Sequence, residues 1–118
     1  MADFAAVYAR LRAIMLAAAG DQVIERDVPG DLVVRTHRRD PKTGEPGWFG
    51  TVTIKKSYVA FHLIPLYDTP ALADGLSADL AKRRQGKTCF NFKAIDEGLF
   101  AELAALTGRV RAALLADA

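Results

Sequence analysis

The sequence predicts an α+β domain in which an antiparallel sheet of about five strands packs with helices from both chain ends, in the order α-β-β-β-β-α-β-α. Near both termini, apolar residues recur at three- and four-residue steps, the period of a helix buried along one stripe. Between them, alternating and β-branched segments are separated by short turn sequences, which favours consecutive hairpins and hence antiparallel pairing. Neither a linker nor an internal repeat interrupts residues 1–118, so one domain is expected.

Phe4, Val7, Tyr8, Leu11, Ile14, Met15 and Ala18 form the first stripe, with Asp3 as N-cap and Gly20 as stop. Arg10 and Arg12 fall off it, as solvated charges. Strands follow at Gln22 to Val28 and Asp31 to Arg39, joined across Pro29-Gly30. The prolines and glycines of Asp40 to Gly47 break regular structure before a second strand pair, Trp48 to Ile54 and Tyr58 to Pro65, turned at Lys55-Lys56-Ser57. Thr69 and Pro70 open a helix carrying Leu72, Leu76 and Leu80; Gly75 weakens it, Ser77 can re-cap it, and Gln85-Gly86 ends it. Thr88 to Phe92 is a short strand. Asp96 opens the last helix, whose buried stripe is Leu99, Leu103, Leu106, Val110 and Leu114.

Composition narrows the function classes. The chain of 118 residues and 12.8 kDa is 51% hydrophobic and 25% charged, which excludes a disordered or low-complexity protein. A folded monomer of this size buries roughly two-thirds of its extended-chain surface, enough for one core. With 16 basic and 14 acidic residues the net charge is +2, too little concentrated positive charge for a general nucleic-acid binder. The longest apolar run, Ala13 to Ala19, is far short of a membrane span, and the N-terminus lacks a leader pattern. The single cysteine, Cys89, excludes an internal disulfide and suits a reducing cytoplasm.

The candidate site rests on strand parity. If Ile54 faces Tyr58 across the turn, then Val52 opposes Ala60, Gly50 opposes His62 and Trp48 opposes Ile64, all on one face. Phe49, Thr51, Thr53, Val59, Phe61 and Leu63 take the other, which meets the helices. Both faces then carry apolar groups, and Trp48, Tyr58 and His62 around the small Gly50 and Ala60 form a concave patch that a helix, a second copy of the chain or a ligand would cover.

Arg83, Arg84 and Lys87, with Lys93, make the densest basic stretch, suited to phosphate or carboxylate; Arg38, Arg39 and Lys42 make a second. The Arg83 to Lys87 sequence follows a helix and lacks the glycines of a phosphate-binding loop. Cys89 is expected to pack as a buried, inert thiol, since no sequence feature brings His62 or His37 beside it. Asp21, Glu25, Asp27 and Asp31 near the first hairpin read as turn and surface chemistry, and no metal ligand set is evident.

The stretches Lys56-Ser57-Tyr58-Val59, Phe61-His62-Leu63-Ile64-Pro65-Leu66-Tyr67 and Gln85-Gly86-Lys87-Thr88-Cys89-Phe90-Asn91-Phe92-Lys93 resemble the YdhG-like family of small bacterial domains, over about half of the chain. The resemblance implies a single compact domain over 1–118 whose relatives mostly lack an assigned activity, with a frataxin-like iron chaperone as one branch. Frataxin-like proteins present an acidic ridge on the first helix and early strand; the first helix here carries Arg10, Arg12 and only Asp3, so no iron ligand transfers to a named position. The expected function is a non-enzymatic binding module that uses Trp48, Tyr58, His62, Arg83, Arg84 and Lys87 for a small anionic ligand or a protein partner, a second copy included. No cofactor and no catalytic residue is expected. An intracellular iron-binding chaperone is the alternative.

Overall fold

A computed structural model describes residues 3–20, 22–39, 42, 44, 46–67 and 69–116, with the side chains of 37–39, 46 and 114–116 outside the description. Its elements are α1 (Phe4–Ala19), β1 (Val23–Val28), β2 (Asp31–Arg39), β3 (Pro46–Ile54), β4 (Val59–Leu63), 3-10 turns at Ile64–Leu66 and Pro70–Ala73, α2 (Ala78–Arg83), β5 (Arg84–Gln85), β6 (Cys89–Phe92) and α3 (Glu97–Ala116). All strand pairs are antiparallel, in the spatial order β1-β2-β3-β4-β6-β5. The α+β class is as expected, with one strand more than anticipated.

The core lies between one face of the sheet and the two long helices. Val7, Leu11 and Met15 of α1 and Leu103, Leu106 and Val110 of α3 are buried against Leu32, Val34, Phe49, Val52, Phe61, Leu63 and Phe90. Phe92 meets Phe100 edge-on at 5.1 Å, the T-shaped geometry that the ring quadrupoles favour. The Asp3 carboxylate accepts from Ala6 N and starts α1 as the sequence implies. Leu114, the last member of the α3 stripe, lies outside the described side chains, and Asp21 outside the described residues.

The expected long helix after Thr69 is divided. Gly75 sits at φ +81°, a left-handed conformation that no helix continues through, so a 3-10 turn precedes it and the six-residue α2 follows. Ser77 restarts the chain: its Oγ accepts from Leu80 N at 3.2 Å, while its own N–H and O–H donate to Glu102 of α3. The helix then stops early because Arg84 and Gln85 pair with Phe90 and Cys89, forming the extra hairpin.

The second correction concerns register. The β3–β4 loop holds four residues, closed by Lys55 N–H donating to the Tyr58 carbonyl at 2.8 Å, so Ile54 opposes Val59 instead of Tyr58. A one-residue slip exchanges the faces of a strand. Val52 therefore opposes Phe61 and Gly50 opposes Leu63 toward the helices, while Thr51 opposes His62 and Thr53 opposes Ala60 on the outer side.

Gly50 shows the cost of closeness between β3 and α1. A Cβ there would lie 2.7 Å from the His62 carbonyl oxygen and from Met15 Sδ, and closer still to Met15 Cε. The methionine can rotate; the carbonyl belongs to the ladder. Gly50→Ala is expected to destabilise the fold by about 1–3 kcal/mol, the scale of overpacking, read as a lower urea midpoint with an unchanged m-value.

Candidate functional site

No described helix lies over the second face of the sheet, because α1 and α3 both pack on the first. Alternation places Val33 and Arg35 of β2, Thr51 and Thr53 of β3, Ala60 and His62 of β4, and Cys89 and Asn91 of β6 on this outer face. Most are half-buried. The oily wall expected from the assumed register is thereby corrected: Val52, Ile54 and Gly50 have gone to the helix side, and threonine, histidine and asparagine stand in their place.

Trp48 still reaches the outer face, by a different route. Between Val34↔Gly50 and Arg35↔Trp48 the ladder skips Phe49, an irregularity that turns Phe49 into the core and Trp48 outward. The Arg35 guanidinium stacks 3.7 Å from the Trp48 ring centroid and is itself held by Glu25 at 3.1 Å. Trp48 remains 45% exposed, so the indole is braced by a cation and open to solvent. Tyr58 sits half-buried in the β3–β4 loop, at the opposite end of the face, four residues and roughly 13 Å from His62 along the strand. Trp48, Tyr58 and His62 thus form a line along the sheet instead of a ring around Gly50.

The basic residues divide. Arg84 opposes Phe90 on the helix side and donates twice to the Lys87 carbonyl, at 2.7 and 3.1 Å, so it closes the β5–β6 hairpin. Arg83 lines a small cavity of about 150 Å³ with Phe92, Lys93, Ile95, Asp96 and Leu99, away from the outer face. Lys87 alone of the three stays near the aromatic end, its Nζ 5.1 Å from the Tyr67 ring, which follows β4. The side chains of Arg38 and Arg39 lie outside the description.

His62 and Cys89 are direct cross-strand partners, a juxtaposition that sequence reasoning missed because it needs the β4–β6 pairing. His62 Nδ1 lies 3.4 Å from Thr88 Oγ1, and the Cys89 thiol donates to Asn91 Oδ1 at 3.0 Å. The thiol is half-buried on the outer face while Phe90 enters the core, which corrects the expectation of a sealed cysteine. Burial raises the Cys89 pKa, and the positive charge of Lys55 offsets this only in part. Burial lowers the His62 pKa, and Lys55 lowers it further. The pair therefore rests as a neutral thiol and a neutral imidazole, each bonded elsewhere, which is the reverse of an activated nucleophile. Lys55 and Arg35 are contributors that the sequence did not single out; the odd-numbered alternation of Asp31, Val33 and Arg35 was the available signal for the second.

The acids of the first hairpin are occupied by arginines. Arg12 pairs with Asp27, Arg26 with Asp31, Arg35 with Glu25, and Arg10 with Glu97 across α1 and α3. Among the described residues, no three His, Cys, Asp or Glu side chains converge on a metal position. No described helix is long and apolar enough to cross a membrane. Comparison with known protein families, curated proteins and solved structures finds no match.

Two outcomes test this electrostatic picture. Because the folded His62 binds its proton less readily than the unfolded one, falling pH adds protons to the unfolded state first; stability drops as pH falls from the ordinary histidine value toward the lower folded one. His62→Gln should flatten the melting temperature across that interval and leave untouched the further loss at carboxylate pH, where Asp27 and Glu97, held low by their arginines, become protonated. For Cys89, alkylation by iodoacetamide at neutral pH should be slower in the folded protein than in urea; equal rates would contradict a protonated, half-buried thiol.

Proposed function

We propose that this domain is a non-catalytic binding module whose outer sheet face takes a small planar anion. The observation that carries the reading is the braced, half-open indole of Trp48 on a sheet face that no described helix covers. A planar group stacks on such a ring without ordering it anew, since Arg35 already holds it in place. Thr51 and neutral His62 at the centre supply hydrogen-bonding groups. Cations stand at both ends, Lys87 beside Tyr67 and Lys55 roughly 20 Å along β3 from Trp48, so negative charge is favoured over the middle of the face.

Membership in the YdhG-like family belongs to this proposal, and the α+β layout supports it. The iron-chaperone alternative is the weaker reading: a hard cation needs several unpaired oxygen donors, and Glu25, Asp27 and Asp31 of the first hairpin are engaged by arginines. Arg83 and Arg84 drop out of the proposed site, which becomes Trp48, Arg35, Thr51, His62, Lys55 and Lys87, with Tyr58 at its far end.

Trp48 is the chain's single tryptophan, so its fluorescence reports binding directly. A panel of aromatic carboxylates and phosphates should include members that quench it saturably and raise the melting temperature. Lys55→Gln should weaken such a ligand by about 3- to 10-fold, and Trp48→Ala should abolish the thermal shift. A flat response across the panel from folded protein overturns the small-anion reading.

A further inference from the structure

The structure sets two metal-ligating side chains opposite each other on the open face, and we propose that His62 and Cys89 bind a soft monovalent d10 metal ion of the copper(I) class, held between Cys89 Sγ and an imidazole nitrogen. This goes beyond the anion-binding reading and does not depend on it.

The first argument is the ladder itself. Leu63 N–H donates to the Thr88 carbonyl at 2.8 Å, which makes Leu63 and Thr88 a hydrogen-bonded pair and His62 and Cys89 the adjacent non-hydrogen-bonded pair. Side chains approach most closely at such positions, with Cβ atoms about 4.5–5.5 Å apart. A sulfur–metal–nitrogen bridge needs about 4.3 Å from end to end, taking zinc–ligand bond lengths as the scale. Rigid strands on both sides hold the pair without a loop rearrangement.

The second argument is the number and kind of donors. Around the pair stand Thr51 on β3, Gln85 on β5, and Thr88 and Asn91 beside Cys89, all uncharged oxygen or nitrogen groups. Among the described residues no third histidine, cysteine or carboxylate joins them. Two ligands are too few for a tetrahedral zinc site, whereas a monovalent d10 ion is satisfied by one thiolate and one imidazole in a linear arrangement.

Charge selects the same ion. Among the described residues, Lys55 is the charged group whose field reaches both His62 and Cys89. Binding exchanges the thiol proton for the metal ion: the S–H bond breaks, the proton leaves to solvent, and a sulfur–metal bond forms with no change of oxidation state. A monovalent ion on a thiolate leaves no net charge beside Lys55, while a divalent ion leaves one positive charge facing another. Asn91, which accepts from the thiol, can turn its amide to donate N–H to the thiolate. His62 Nδ1 faces Thr88 Oγ1, so the other ring nitrogen is the one without a described partner and the one assigned to the metal.

Silver(I) is the probe, since it needs no reductant to hold its oxidation state. Titration of the reduced full chain should give one ion per monomer by native mass spectrometry, with the His62 ring resonances shifting in step. Cys89→Ser should abolish binding, and His62→Gln, on a half-exposed position where folding can be checked by its melting curve, should weaken it at least ~10-fold in competition with a reference thiol. Zinc should bind much more weakly than silver in the wild-type protein. Silver affinity unchanged in His62→Gln, ring resonances that do not move, an ion bridging two chains, or zinc binding as tight as silver would each overturn the proposal.

Discussion

A single backbone hydrogen bond, from Lys55 N–H to the Tyr58 carbonyl, determines what the outer face of this protein consists of. It closes the β3–β4 loop at four residues and so chooses between two registers that differ by one position. In the observed register Phe61 and Leu63 join Val52 and Gly50 beneath α1, and His62 and Ala60 turn outward with Thr51 and Thr53. The other register would have buried two threonines and exposed two aliphatic residues. The difference in apolar burial between the two arrangements is the physical reason the loop takes its extra residue.

That choice propagates across the sheet. Because His62 faces outward, its β6 partner Cys89 does so too, and the chain's one thiol stands on an accessible face instead of in the core. The register skip at Phe49 then returns Trp48 to the same side, where Arg35 braces it. Two irregularities, a longer loop and a skipped residue, thus assemble a histidine, a cysteine and a tryptophan on one surface. The make-up of this face therefore depends on departures from regular pairing, which re-aim side chains.

The arginines act chiefly within the fold. Arg10, Arg12, Arg26 and Arg35 each meet a carboxylate, tying α1 to α3, α1 to β1, and the first hairpin to itself. The exposed pairs of Arg10, Arg12 and Arg26 contribute little stability individually, but they engage the acids and the arginines with one another. Arg84 is spent on its own hairpin. Among the described residues, Lys55 and Lys87 are the cations at the outer face that stand outside these carboxylate pairs.

Periodicity and turn chemistry alone determined the α+β class, the antiparallel hairpins, the capping roles of Asp3 and Ser77, and the helix stripes from Val7 to Met15 and Leu99 to Val110, because these depend on spacing within one segment. The division of the helix at Gly75 was visible as a weakness but not as a break. What only the tertiary structure decided was parity and partnership: which face His62 occupies, that Cys89 lies opposite it, that Arg35 rather than Arg84 supports the aromatic end, and that Tyr58 lies apart. Each of these depends on a one-residue register or on contact between distant strands, and a single chain read in order carries no record of either until the core has selected it.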